Sequence, residues 1–485
     1  MRVDSTSRPA FVLVAGRSIG LAASFAIGIV LARLFDPSLF GTYKQFFLVY
    51  ATLFGVMQLG MAESLYYFVP RRSEHTGRYV CNAMLTMALT GAACTAGLYV
   101  AREPIAAWLS NPLLAEYILP LGAFLTLTLT STVFEIVMIS RNRHLKAAVT
   151  YAVSDIVRTL LFVLPALFLG SLRAVFLGAT LFAAIRLAAA IGVLWREFGR
   201  DFRLDLGIWR QQLGYALPFA SAVGLEVVLI NYHQYVVASR VDAATFAIYA
   251  IGCLQIPLYD LIVTSTVNVL MVRMGSEGGR TGRAAVDLWH DTVARLAFLI
   301  VPLAIFLVVA SHYLIVGLFT ATYAGSVPIF VVWVLTMLPA VLAVDAVLRV
   351  YAQTRYLLFM NAVRFVCVAG LIGMFINGFG LIGAVGVTLL AMTVTKLLGF
   401  VRIVRLMHLG VRDALPWARL TVTVARAGAA ALPVLWLQRS VEMHPLLTFA
   451  AGAALYGGVY ALLSFWTDIV ARLAPTKQGE PSCVA

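Results

Sequence analysis

The stretch Leu31-Ala-Arg-Leu-Phe-Asp36-Pro-Ser-Leu-Phe40-Gly-Thr-Tyr43 returns, 206 residues later, as Val237-Ala-Ser-Arg-Val-Asp242-Ala-Ala-Thr-Phe246-Ala-Ile-Tyr249. Asp, Phe and Tyr fall in register. In both copies the aspartate stands between two apolar runs, where a carboxylate can cap the free amides of the next helix. The same offset pairs Asp155-Ile-Val-Arg158 with Asn361-Ala-Val-Arg364, and each arginine lands inside an apolar stretch. A two-fold repeat within apolar helices is a layout shared by membrane transporters, whose sites form at the repeat interface.

The composition agrees with that setting. Hydrophobic residues make up 61% of the chain and charged residues 12%, against about 25% charged in a soluble domain. Mean hydropathy is +0.92. The chain has too little polar surface to cover itself in water, so lipid is its solvent for most of its length. Residues 11–34 are long enough to span and carry no signal-peptide cleavage pattern, so they read as a retained helix. The net charge of +14 lies mostly in the connections. With no basic and aromatic soluble module present, it reads as positive-inside topology and not as a nucleic-acid partner. Cys81, Cys94, Cys253, Cys367 and Cys483 form no disulfide framework and no metal spacing. No phosphate-binding glycine loop occurs, and no cofactor is expected.

About 20 apolar residues span a bilayer. On that ruler the chain is an all-α polytopic membrane protein of about fourteen helices. They are expected at 10–34, 40–68, 79–101, 114–139, 147–169, 173–195, 212–237, 244–272, 290–318, 325–350, 356–376, 380–403, 418–437 and 445–467. Alternate connections are basic, with Arg71, Arg72 and Arg78, then Arg141, Arg143 and Lys146, then Arg196, Arg200 and Arg203, and later Arg402, Arg405 and Arg412. That asymmetry places these loops and both termini in the cytoplasm. Two parallel six-helix bundles follow, residues 1–200 and 201–405, around a central cavity. Two additional helices occupy 406–470, and 471–485 form a cytoplasmic tail. The polar segment from Arg196 to Gln212 is expected as a linker helix on the inner membrane surface.

These residues resemble a known family. Ile29-Val-Leu-Ala-Arg-Leu-Phe-Asp-Pro-Ser-Leu-Phe-Gly41-Thr-Tyr43 and Gln58-Leu-Gly-Met-Ala-Glu-Ser-Leu-Tyr-Tyr-Phe-Val-Pro70 resemble the opening helices of bacterial polysaccharide exporters. Leu213-Gly-Tyr-Ala-Leu-Pro218, Leu318-Phe-Thr-Ala-Thr-Tyr323-Ala and Gly380-Leu-Ile-Gly-Ala-Val-Gly386 resemble their later signatures. The family is the oligosaccharide flippases (O-antigen, capsule and exopolysaccharide transporters) of the multidrug/oligosaccharidyl-lipid/polysaccharide superfamily. The resemblance implies two six-helix bundles in the bacterial inner membrane. It implies movement of an undecaprenyl-diphosphate-linked oligosaccharide from the cytoplasmic to the periplasmic leaflet, with a polysaccharide polymerase and export proteins as partners. It also implies arginines that meet the diphosphate.

Charges inside the membrane are costly, about 2.5–3.5 kcal/mol each on insertion scales, and so are functional candidates. Arg158 lies about eleven residues into its helix, some 16 Å deep. A guanidinium there can bind diphosphate oxygens at two points, or it can be balanced by Asp155 one turn earlier. Arg364 is its repeat partner. Arg186, Lys396 and Arg17 are further candidates for a cationic path. Glu226, Asp260 and Asp155 are candidates for ion coupling, or for fixed partners of those bases. Asn231, His233 and Gln234 could meet sugar or belong to an interfacial belt.

Other readings need other features. A cation-coupled drug antiporter on the same fold needs an acidic or aromatic cavity, and here bases are at least as prominent as acids. A flippase for the peptidoglycan precursor also fits this fold. A membrane glycan polymerase or ligase needs catalytic residues on long outward loops, and no connection is long. No catalytic residue is expected, and the chain reads as a transporter, not an enzyme.

Overall fold

The computed structural model describes residues 20, 23, 25–141, 143–276 and 282–473. Arg17, most of the first expected span and the tail from 474 lie outside them. The described residues form helices joined by short turns, without strands. They fall into two compact units, residues 1–250 and 251–485. The repeat boundary expected at residue 200 is a different division, since residues 206–250 pack with the first unit.

The first unit holds α1 (Phe25–Leu34), α2 (Pro37–Met57), α3 (Met61–Arg71), α4 (Thr76–Val100) and α5 (Arg102–Trp108). It continues with α6 (Leu114–Ser131), α7 (Val133–Ser140), α8 (His144–Leu169), α9 (Leu172–Phe198), α10 (Leu206–Ala238) and most of α11 (Ala243–Gly252). The duplicated stretch explains how α2 and α11 start. Asp36 Oδ1 accepts the amides of Ser38 at 2.8 Å and Leu39 at 3.0 Å, with Pro37 in the first turn. Asp242 Oδ1 accepts the Thr245 amide at 3.2 Å. The motif's Phe40, Phe246, Tyr43 and Tyr249 are all buried. The two copies also touch each other. A Cβ on Gly41 would lie 1.8 Å from the Ala243 carbonyl oxygen, so only glycine allows the approach.

Two seams hold this unit. Met61, Leu65, Tyr79, Ala83, Met87, Leu125, Leu129 and Leu194 form a buried core among α3, α4, α6 and α9. An aromatic column adds to it, with Phe46 stacked on Phe176 at 3.9 Å between ring centres. The expected linker helix over 196–212 does not form as a separate element. α9 runs to Phe198, Gly199 turns the chain at φ 49°, and α10 begins at Leu206 with Asp205 as its cap. Arg78 explains the tight turn. Its Nε and Nη1 donate to Asp201 and Asp205, both at 3.0 Å. Trp209 and Gln212 are drawn onto Thr86, Ser64 and Tyr79.

The second unit holds α12 (Pro257–Ser276), α13 (Arg283–Val309), α14 (Ser311–Phe319), α15 (Val327–Leu335) and α16 (Val344–Val350). It ends with α17 (Thr354–Leu406), α18 (Trp417–Ser440) and α19 (Pro445–Leu473). Ala427, Ala430, Ala431 and Val434 form the small-residue seam by which α18 packs on Phe306, Tyr456 and Tyr460. α17 holds two expected spans that meet in a sharp turn at Gly380, where a Cβ on Gly383 would lie 2.0 Å from the Phe375 carbonyl oxygen. Gly380, at φ 60° and ψ −143°, is the one residue inside it that leaves the helical region.

Among the described residues ten helical segments are long and apolar enough to span. The count reaches twelve when α2 with α3, bent by 41°, and α11 with α12, bent by 45°, each count as one. The sequence divides the chain more finely because it separates the two parts of α17 and begins a span at residue 10.

Candidate functional site

Four of the eight expected site residues, Asp155, Arg158, Arg186 and Lys396, take part in base–acid pairs within the helices. In the first unit Arg186 of α9 reaches Glu135 of α7, its Nη2 at 2.8 Å from both carboxylate oxygens. Glu135 is 1% exposed, so the pair is the compensation that lets a carboxylate sit there. It borders a cavity of about 350 Å³ whose other polar walls are Thr150 and Ser154 of α8. Arg158 pairs with Asp155 on its own helix, Nη2 to Oδ1 at 2.7 Å. Both side chains keep partial exposure, 28% and 19%. Gly20 comes close at this point, for a Cβ on it would overlap the Asp155 carboxylate.

The second unit repeats the inter-helix pair. Lys396 of α17 donates to Asp345 of α16. Acid and base stand 51 residues apart in both units. Glu135 and Asp345 are 210 residues apart, as are Arg186 and Lys396. Gly170 and Gly380, both at positive φ at the end of a helical stretch, share that offset. So do the starts of α8 at His144 and α17 at Thr354. In this part of the chain the structural offset is therefore 210, not the 206 of the opening motif. By that register Arg364 answers to Ser154, which lines the first unit's cavity, and Arg158 answers to Val368. The two arginines are thus one helical turn out of step, on nearly the same face.

The remaining candidates are placed differently. Arg364 is half-buried on α17. Glu226 on α10 and Asp260 on α12 are exposed and make no ion pair among the described residues. Arg17 lies outside the described residues. His233 is buried, and its Nδ1 lies 2.6 Å from the hydroxyl of Tyr249, a residue of the duplicated motif. Its place is in the packing of α10 against α11. Glu135 and Asp345 were legible as acids inside helices but not as the partners of Arg186 and Lys396. The equal 51-residue spacing was the signal that could have found them. Among the described residues no cluster of metal-ligating side chains occurs.

Chemically, each unit offers a base held by a carboxylate within apolar helices. A guanidinium in such a pair remains a strong donor, and a phosphate oxygen can compete with the carboxylate for it.

Comparison with known proteins places this architecture. The family described as polysaccharide biosynthesis protein matches residues 30–328. No curated protein matches the chain. Among solved structures, the lipid II flippase MurJ in its inward closed conformation is similar at a TM-score of 0.74 and 13% identity, over 95% of this chain and 99% of that one. An inward-facing multidrug resistance MATE family transporter of the MOP superfamily gives 0.60 at 15% identity, over 81% and 98%. A MOP superfamily transporter from Pyrococcus furiosus, described as having a binding pocket of reverse polarity, gives 0.57 at 14%, over 82% and 95%. A multi-pass helical chain with this fold, matched by that family over more than half its length, belongs to the polysaccharide biosynthesis protein family and shares the fold of MOP superfamily transporters.

Proposed function

We propose that this protein flips an undecaprenyl-diphosphate-linked oligosaccharide from the cytoplasmic to the periplasmic leaflet of the bacterial inner membrane. The observation that carries this reading is the family match across residues 30–328. The lipid-linked cargo of the flippase with a similar fold supports it. In this reading Arg158 and Arg364 meet the diphosphate, and Arg186, Lys396 and Arg17 complete a basic path for it. The ion pairs at Arg158, Arg186 and Lys396 keep those bases affordable in lipid until an anionic cargo competes for them. Glu226 and Asp260, exposed carboxylates, are the candidates for ion coupling, while Asp155 is committed to Arg158. The basic connections and both termini face the cytoplasm, where the glycan is assembled, and a polymerase and export proteins receive it outside.

The test uses the full chain in proteoliposomes with a fluorescent lipid-diphosphate oligosaccharide and a membrane-impermeant quencher. Wild type should move the lipid between leaflets, and Arg364→Ala should slow it about tenfold or more, the loss of a charge-assisted contact. Movement of a cationic dye with none of the lipid would assign the drug-antiporter reading instead.

A further inference from the structure

In the second unit, α12, α13 and α18 line an open cleft of about 560 Å³ that the transport reading does not use. Its polar wall holds Asp291 and Arg295, one turn apart on α13, and Arg419 of α18. Ser265 and Thr266 of α12 add two hydroxyls. Arg419 Nη1 donates to Asp291 Oδ1 at 2.6 Å. Arg295 makes no ion pair among the described residues. The wall thus carries one cation more than it balances. The other wall is apolar, with Phe298 and Leu299 exposed at 41% and 44%.

The height of the cleft narrows the ligand. α18 begins at Trp417, so Arg419 stands in its first turn, at the edge of that span. Asp291, which it binds, stands at the same level. Arg295 lies one turn, about 6 Å, further along α13. An interfacial tryptophan, two arginines and an apolar wall in that order match the sequence of headgroup, phosphate and acyl chain in a bilayer leaflet.

We propose that this cleft binds an anionic phospholipid of the surrounding membrane. Its phosphate takes donors from Arg295 and Arg419, and one acyl chain lies along Phe298 and Leu299. Asp291 tempers the site, because the lipid phosphate competes with its carboxylate for Arg419. Charge complementarity selects a lipid with net negative charge over a zwitterionic one. A bilayer lipid is favoured over the carried lipid because the site requires α18, which lies beyond the duplicated part of the chain. The apolar wall disfavours a soluble anion, which would leave it uncovered.

The experiment is native mass spectrometry of the full chain in detergent, titrated with dioleoylphosphatidylglycerol and, separately, dioleoylphosphatidylcholine. Phosphatidylglycerol should bind about tenfold tighter. The double variant Arg295→Gln, Arg419→Gln should lose about that tenfold while its phosphatidylcholine binding stays as in wild type. Asp291→Asn should bind phosphatidylglycerol more tightly than wild type, a gain that damage to the fold cannot produce. Equal affinity for the two lipids in wild type, or unchanged phosphatidylglycerol binding in the double variant, would overturn the proposal. So would displacement of phosphatidylglycerol by equimolar undecaprenyl diphosphate whose own binding falls in the double variant, since the site would then belong to the cargo.

Discussion

Asp155 and Arg158 are bonded at 2.7 Å on α8, and that bond decides how substitutions at either should behave. Arg158→Ala leaves a half-buried carboxylate without its neighbouring base and should lower the amount of protein inserted. Removing both, Asp155→Ala with Arg158→Ala, should restore abundance, because no charge is left uncompensated. Export separates the two roles of the arginine. If Arg158 meets the diphosphate, the double variant inserts normally and still exports poorly, as read by surface polysaccharide against immunoblotted protein. Full recovery of export would remove Arg158 from the substrate path. This pair was visible in the sequence because its members are three residues apart on one helix. Glu135 with Arg186 and Asp345 with Lys396 were not, because nothing local in the sequence says which face of one helix meets which face of another.

At the scale of elements, the turn between α9 and α10 shows what hydropathy misreads. The segment from Arg196 to Gln212 is polar enough to suggest a helix lying on the membrane surface. Instead Arg78 gathers Asp201 and Asp205, and Asp205 also caps α10 through the Ile208 amide at 3.1 Å. Apolar length located most of the helices, because it reports solvent. It could not report that Arg78, from a distant position, would gather two aspartates of the connection and fold it into seven residues between Phe198 and Leu206. Arg78→Ala should loosen this turn, and trypsin should then cut faster at exposed Arg200 and Arg203 than in wild type. An unchanged cleavage rate would mean the turn stands without Arg78. The Ile208 amide, and with it Arg78, holds the Asp205 carboxyl below its ordinary value. That group contributes stability above its unfolded pKa of about 3.9, and the contribution is lost as pH falls through the lower folded value. Acidification from about pH 5 to about pH 3 should therefore destabilise wild type more than Asp205→Asn, compared by thermal melts.

At the scale of the whole chain, the expected duplication is what would join sequence to topology. The opening motif repeats at 206 residues, and the later ion pairs and helix ends repeat at 210. A shift of four residues between them is what insertions in connections produce, since loops absorb length that packed helices cannot. A parallel repeat requires an even number of spans between its copies, so equivalent ends of the two copies must face the same side of the membrane. The loop charges then say which side that is. The expected topology is checked by single cysteines on a background lacking the five native ones, labelled in whole cells by a membrane-impermeant maleimide. Arg72→Cys, Arg203→Cys and Arg405→Cys, all at exposed positions in basic connections, should react only after the cells are opened. Ser38→Cys, Ser110→Cys and Glu442→Cys, at exposed positions of the opposite connections, should react in intact cells. Arg72 and Ser38 bracket one bent span, α2 with α3, so their opposite behaviour tests that span directly. Arg203 sits between α9 and α10, where the two copies meet in sequence. Labelling of Arg203→Cys in intact cells would reverse the orientation, and the proposed direction of transport with it.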